Sequence, residues 1–161
     1  MGRLAHEVLA DAPSSEVSLE EVCPDPREFG AQLLGGLASV FIMESTSDGF
    51  LGAARVVPRE FIRASHVAEV TLGVRPDARQ QGIGRAMLNA LEREFREAAG
   101  FGKAVVRVAG DDRGLAQLLQ RSESPWSVER CEHQALFRDH RYIDMLLYAF
   151  HIPCDPKTMV Q

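Results

Sequence analysis

Leu72-Gly73-Val74-Arg75-Pro76-Asp77-Ala78-Arg79-Gln80-Gln81-Gly82-Ile83-Gly84-Arg85-Ala86-Met87-Leu88 changes character twice along its length. The apolar run ending at Val74 reads as a strand, and Pro76-Asp77 breaks it. A glycine-spaced turn, Arg79-x-x-Gly82-x-Gly84, then feeds an amphipathic helix. This order leaves a row of backbone N–H groups without intrahelical acceptors at a helix N-terminus, where an anion such as a pyrophosphate can sit. Gly82 and Gly84 lack Cβ atoms, so a ligand can approach the main chain closely. The helix adds roughly half a positive charge at that end, and Arg79 and Arg85 add whole ones.

Other glycine-dependent phosphate motifs fit worse. A Walker A loop needs a glycine five residues before its Gly-Lys pair, but Glu97 stands there before Gly102-Lys103. Ala104 also replaces the Ser or Thr that would hold magnesium. Counting on from Gly82-x-Gly84, Met87 occupies the position of the third glycine of a dinucleotide fingerprint. A plain strand-to-helix turn with two glycines remains the bland alternative, and the arginine spacing weighs against it.

Working outward, Val67–Val74 is the strand before the turn and Gly84–Ala99 the helix after it. Met87, Leu88, Leu91, Phe95 and Ala98 line one side of that helix, with Gly100 as its stop. Glu92–Arg96 and Arg93–Glu97 read most simply as a solvated face. Lys103–Ala109 is a valine-rich strand expected to lie parallel to Val67–Val74. Gly110–Asp112 turns the chain into a short helix, Arg113–Arg121. Trp126–Phe137 and Tyr142–His151 then form a hairpin around Arg138-Asp139-His140. Upstream, Ala38–Glu44 and Phe50–Val57 form a hairpin through Ser45–Asp48. A helix is expected across Pro26–Leu37, capped by Asp25, with Phe29, Leu33 and Leu34 as its stripe. Leu4, Val8 and Leu9 suit the end of an earlier helix, and Ser18 has the spacing of a cap. The chain reads as one domain over 1–152, with 153–161 a loosely held tail.

The chain has 161 residues, 45% of them hydrophobic, enough for one packed core. No apolar run nears the roughly 20 residues that span a bilayer. The opening Met1-Gly2-Arg3-Leu4-Ala5-His6 lacks a signal-peptide core, and His6 stands where myristoylation wants Ser or Thr. Cys23, Cys131 and Cys154 are scattered and without metal-ligand spacing along the chain, so the reading is a reducing cytoplasm and no metal. A net charge of −5 argues against nonspecific nucleic-acid binding and suits a cationic or amine substrate.

Val67 to Met87 resembles the acetyl-CoA-binding segment of the GNAT family of N-acetyltransferases. Arg79-Gln80-Gln81-Gly82-Ile83-Gly84 matches that family's Q/R-x-x-G-x-G/A signature in full, and the likeness continues more weakly to about Phe150. The resemblance implies an α/β (α+β) fold with a mixed, mostly antiparallel central sheet flanked by helices. It also implies acetyl-CoA as cosubstrate and no metal. The pyrophosphate would lie on the amides of Gln81, Gly82, Ile83, Gly84, Arg85 and Ala86, near Arg79 and Gln80. Pantetheine would pair with the main chain around Leu72, Gly73 and Val74. The family's usual first strand has no counterpart here: the strand is supplied otherwise, one sheet edge is bare, or the true start lies upstream, and a bare edge would admit a homodimer. The family often carries a tyrosine after the Lys103–Ala109 strand as proton donor. Leu118 and Leu119 stand at the matching positions.

The implied reaction is direct attack of a primary amine of a small molecule, amino acid or peptide on the thioester, in a ternary complex. Such an amine, with pKa about 10.4, is mostly protonated at pH 7, and freeing its lone pair costs roughly 4–5 kcal/mol. Glu69 is the favoured base; the alternatives are a solvent-side carboxylate or a structural pair. The N–H of Leu72 would polarise the thioester carbonyl if a bulge frees it from the ladder. Tyr142 or Ser122 could protonate the thiolate, and His66 and His133 are further bases to weigh. Cys131 and Trp126 read as core, and Asp144 as either a contact for a cationic substrate or a partner of Arg138 or Arg141. A non-catalytic acyl-CoA sensor or interaction module is the second reading, and a ligand-free structural domain the third.

Overall fold

The computed structural model describes residues 39–59, 61–97 and 100–152. The expected N-terminal helices, the question of a first strand, and the tail lie outside the described residues. Within them the chain runs β1 (Ser39–Ser45), β2 (Gly49–Pro58), β3 (Val67–Val74), α1 (Ile83–Glu97), β4 (Lys103–Ala109), α2 (Arg113–Gln120), β5 (Ser127–Arg138) and β6 (Arg141–His151). Both strands flanking α1 begin and end where the apolar runs do.

The six strands form one sheet in the order β1-β2-β3-β4-β6-β5. Only β3 and β4 are parallel, because the chain returns through α1 before starting β4; every other neighbour is antiparallel. Alternation assigns the faces. Ala68, Val70 and Leu72 of β3, Ala104, Val106 and Val108 of β4, and Tyr148 and Phe150 of β6 join one core cluster with Met87, Leu88, Leu91 and Phe95 of α1. Each of those helix side chains contributes about 1.5–3 kcal/mol by leaving water. Val67, Val105 and Ala149 lie on the opposite face.

One side of α1 departs from the expected pattern. Glu92 is 2% exposed rather than solvated. It accepts hydrogen bonds from Ser122 Oγ (2.5 Å), Ser124 Oγ (2.6 Å) and Trp126 Nε1 (2.7 Å). Arg96, one turn on, lies 4.0 Å from the same carboxylate and donates to Ser124. Its guanidinium sits over the Phe150 ring at 5.5 Å. A buried carboxylate is tolerated when every oxygen is met by donors, and this one ties α1 to the segment leading into β5. Trp126 is buried as expected, with its indole N–H committed to the same group.

Candidate active site

Beyond Val70 and Val106 the β3–β4 ladder stops, although β3 continues to Val74 and β4 to Ala109. The two strands diverge toward their C-terminal ends and leave a cleft there. The edges facing that cleft follow from the pairing with outer neighbours. Arg75 N donates to Leu51 O and Arg59 N to Val67 O. Residues 67, 69, 71, 73 and 75 therefore direct their main-chain groups to β2, and residues 68, 70, 72 and 74 direct theirs to the β4 side. Leu72 and Val74 thus turn their N–H groups into the cleft, while Gly73 pairs with Ala53 on β2. The β2–β3 register runs unshifted from Gly52–Val74 to Pro58–Ala68. No bulge is needed to free Leu72; the divergence of β4 does it.

The cleft leads to the head of α1. Ala86 N donates to Gly82 O (3.0 Å), closing the first turn of the helix. The amides of Ile83, Gly84 and Arg85 precede that bond and have no acceptor within the helix, whereas Ala86 is already engaged. Gln80 (φ +62°) and Gly82 (φ +83°) both take left-handed backbone conformations, which curl the loop around the helix end. A Cβ on Gly82 would meet nothing within 4 Å, so the space beside it is open. Gly84 serves a different purpose from the one its spacing suggests. A Cβ there would come within 3.3 Å of Leu118 Cδ2, so its absence lets α1 approach α2.

The loop's side chains brace the loop itself. Arg79 Nε donates to Val74 O (3.0 Å), and Gln81 Nε2 to Asp77 O (2.9 Å). Arg75 bridges Asp77 Oδ1 (2.5 Å) and the carbonyls of Phe50 (2.9 Å) and Asp48 (3.2 Å). That guanidinium holds the Asp77 carboxyl below its ordinary value, mainly through the hydrogen bond. Arg85 reaches over to Arg121 O (2.9 Å) at the C-terminal end of α2. Three arginines, Arg75, Arg79 and Arg85, therefore stand around the head of α1, and its main-chain donors stay available.

Glu69 is exposed on the face of β3 opposite α1, and Arg59 Nε donates to its Oε1 at 2.9 Å. Arg55 pairs with Thr71 on that same face. Its Nε is the one buried side-chain polar atom without a hydrogen-bond partner among the described residues. Nothing in the spacing of the sequence marked it. Tyr142 is exposed at the start of β6 and packs against Phe137, with ring centroids 5.1 Å apart. Because β6 is antiparallel to β4, Tyr142 lies at the cleft end of the sheet. Alternation along β6 puts it on the α1 face. The structure therefore puts the two on opposite faces and at different heights, Glu69 level with Val105 and Ala149 in the paired part of the sheet and Tyr142 beyond Met145 at the cleft end.

Several other expectations change. Ser122 is committed to Glu92, which removes it as a free hydroxyl. Cys131 is exposed rather than core, because it sits on the edge strand β5. His133 has a partner after all: Nδ1 lies 3.0 Å from Asp144 Oδ2. Asp144 also accepts from Gln134 N (2.9 Å), and these two contacts lower its carboxyl below the ordinary value. Arg138 and Arg141 bind Asp111 instead, at 2.8 and 2.7 Å. His66 is exposed beside Val67, at the opposite end of β3 from the cleft.

Residues 6–122 match the profile of the Acetyltransferase (GNAT) family. The chain belongs to that family. A search of curated sequences finds no significant match. Solved GNAT-like structures superpose over nearly all of it. A phosphinothricin acetyltransferase from Sinorhizobium meliloti, in complex with AcCoA, has TM-score 0.78 and 16% identity, covering 94% of this chain and 80% of that one. An N-acetyltransferase from Staphylococcus aureus Mu50 has TM-score 0.79 at 14% identity, with 94% and 90% covered. The spermidine/spermine N-acetyltransferase SpeG from Vibrio cholerae has TM-score 0.73 at 15% identity, with 92% and 85% covered. At these identities the likeness establishes the fold, and this GNAT sheet is the mixed, mostly antiparallel one expected. No helix among the described residues is long and apolar enough to cross a membrane.

Proposed function

We propose that this GNAT protein is an acetyl-CoA-dependent N-acetyltransferase acting on the primary amine of a small molecule, amino acid or peptide. The observation that carries this is the cleft between β3 and β4, with the N–H groups of Leu72 and Val74 turned into it and the head of α1 at its mouth. A thioester with a pyrophosphate-bearing tail suits that shape. The open space at Gly82 and the amides of Ile83, Gly84 and Arg85 would hold the pyrophosphate. Leu72 and Val74 would pair with the pantetheine amides as a strand would. Acetyl-CoA supplies an activated acyl carbon; the protein supplies position and proton management.

Leu72 N–H donates to the acyl oxygen, where charge develops as the amine nitrogen attacks. Glu69, directly or through one water, takes the amine's proton as the N–C bond forms and the C–S bond breaks. Its pairing with Arg59 is an exposed one, weak enough to open for substrate. The departing group is a thiolate, a far better leaving group than an amine or alkoxide, so a proton donor helps it only modestly. Tyr142, on the other face at the cleft end of the sheet, is the hydroxyl assigned to that step. Leu118, packed on Gly84 where the family's tyrosine is expected, favours the non-catalytic sensor as second reading.

Release of free thiol from acetyl-CoA, followed across polyamines, amino acids and short peptides, tests the proposal. Amine-dependent release is the expected result. A melting temperature raised by acetyl-CoA with no turnover on any amine would replace the enzyme with the sensor.

A further inference from the structure

We propose that Cys131, His133 and Asp144 form a binding site for a divalent transition ion of the zinc class, where β6 meets the edge strand β5. The three donor atoms converge across β5 and β6. Cys131 Sγ lies 3.9 Å from His133 Nδ1 and 4.0 Å from Asp144 Oδ2, and those last two atoms are 3.0 Å apart. Tetrahedral bonds of about 2.3 Å to sulfur and about 2.0–2.2 Å to nitrogen and oxygen require separations of about 3.6, 3.6 and 3.4 Å. Each observed distance is within about half an ångström of that requirement.

The backbone builds the cluster. Between Glu132–Met145 and Leu136–Ile143 the register shifts, so that His133, Gln134 and Ala135 together oppose Asp144. Gln134 takes φ +54° in that bulge and donates its N–H to Asp144 Oδ1 (2.9 Å). This bond fixes the carboxylate and leaves Oδ2 to face the ion, the orienting contact that ligands of metal sites commonly have. A thiolate, an imidazole and a carboxylate make a donor set of borderline softness, suited to zinc or cobalt rather than magnesium or calcium. With three protein donors and exposed surroundings, a water completes four-coordination. Nearby cations do not compete: Arg107 and Arg130 both pair with Glu132, which alternation places on the opposite face. Spacing along the chain hid the site, because Asp144 joins Cys131-x-His133 only through strand pairing.

Cobalt(II) titration of the purified, reduced protein tests this. Binding of one ion should produce a thiolate-to-cobalt charge-transfer band and the intense visible bands of four-coordination, both displaced by zinc. Cys131→Ser should abolish the charge-transfer band. His133→Gln and Asp144→Asn should each weaken zinc about tenfold or more, by competition with a chromophoric chelator. Cys131 and His133 lie on the edge strand β5 with Asp144 beside them on β6, and far-UV circular dichroism verifies folding; the two other variants decide the matter should Cys131→Ser misfold. No charge-transfer band in the wild type, or a band that survives in Cys131→Ser through Cys23 or Cys154, overturns the site.

Discussion

Replacing Gly82 by Asp, with Asn as its control, probes the head of α1 most directly. Gly82 has φ +83°, so any L side chain there bears a strain of about 1–2 kcal/mol, at the low end for Asn and Asp. Nothing stands within 4 Å of the new Cβ, so neither side chain meets a steric clash at that atom. The two variants therefore share shape and strain and differ by one charge. A carboxylate about 4 Å from a bound phosphate oxygen repels it by about 1 kcal/mol at the dielectric of water and about 4 kcal/mol at an effective dielectric of 20. The Asp variant should accordingly bind acetyl-CoA about 5- to 1,000-fold more weakly than the Asn variant, and the gap should narrow as salt rises. Isothermal titration of both with acetyl-CoA, and with pantetheine as the pyrophosphate-free control, reads the difference. Equal acetyl-CoA affinities for Asp and Asn, or an equal loss for pantetheine, would refute a pyrophosphate at this loop.

Glu69→Gln should lower kcat/KM by about 100-fold or more while leaving acetyl-CoA affinity within about twofold, since a general base contributes to the chemical step alone; unchanged kcat/KM sinks the assignment. Tyr142→Phe should lower kcat by about tenfold while leaving acetyl-CoA affinity within about twofold; an unchanged kcat removes the assignment. Glu92→Ala strands the donors of Ser122, Ser124, Trp126 and Arg96 and should cost about 3–5 kcal/mol, lowering Tm by roughly 10 °C, with altered Trp126 fluorescence. The carboxyls of Glu129 and Glu132 are held below the ordinary 4.5, by Lys103 and then His151 in the first case and by Arg107 in the second. Depressed values mean stability that is present above pH 4.5 and lost as pH falls through the folded-state values; Lys103→Met together with Arg107→Met should flatten that acid limb in denaturant titrations.

The strands flanking the glycine turn were legible almost residue by residue, because an apolar run bounded by Pro76 on one side or Gly102 and Gly110 on the other leaves little freedom in where a strand ends. The anion-binding loop was legible for a similar reason: its chemistry is main-chain geometry, which glycine spacing reports. Glu92 was not. A four-residue Glu–Arg spacing looks solvated until the donors of Ser122, Ser124 and Trp126 arrive from 30 to 34 residues away, and no local pattern contains that meeting. Cys131 failed for the opposite reason. Alternation assumes a strand covered on one side, and β5 is a sheet edge with two register shifts. Arg55 was invisible because a single arginine in an apolar strand reads as solvent-facing, whereas this one has a buried, unmet nitrogen.

The order of strands divides the sheet into two halves of three, β1-β2-β3 and β4-β6-β5, and main-chain pairing across the boundary is confined to Val67–Lys103, Ala68–Ala104, Glu69–Val105 and Val70–Val106. That short seam makes the molecule a book bound along half its spine, with the packing of α1 across both halves as the tape. Anything that laid its own amides along the open half would act as the missing stitches. Its arrival would then register far from the cleft, as slower amide exchange along the whole of β3 and β4, including the pairs it never touches.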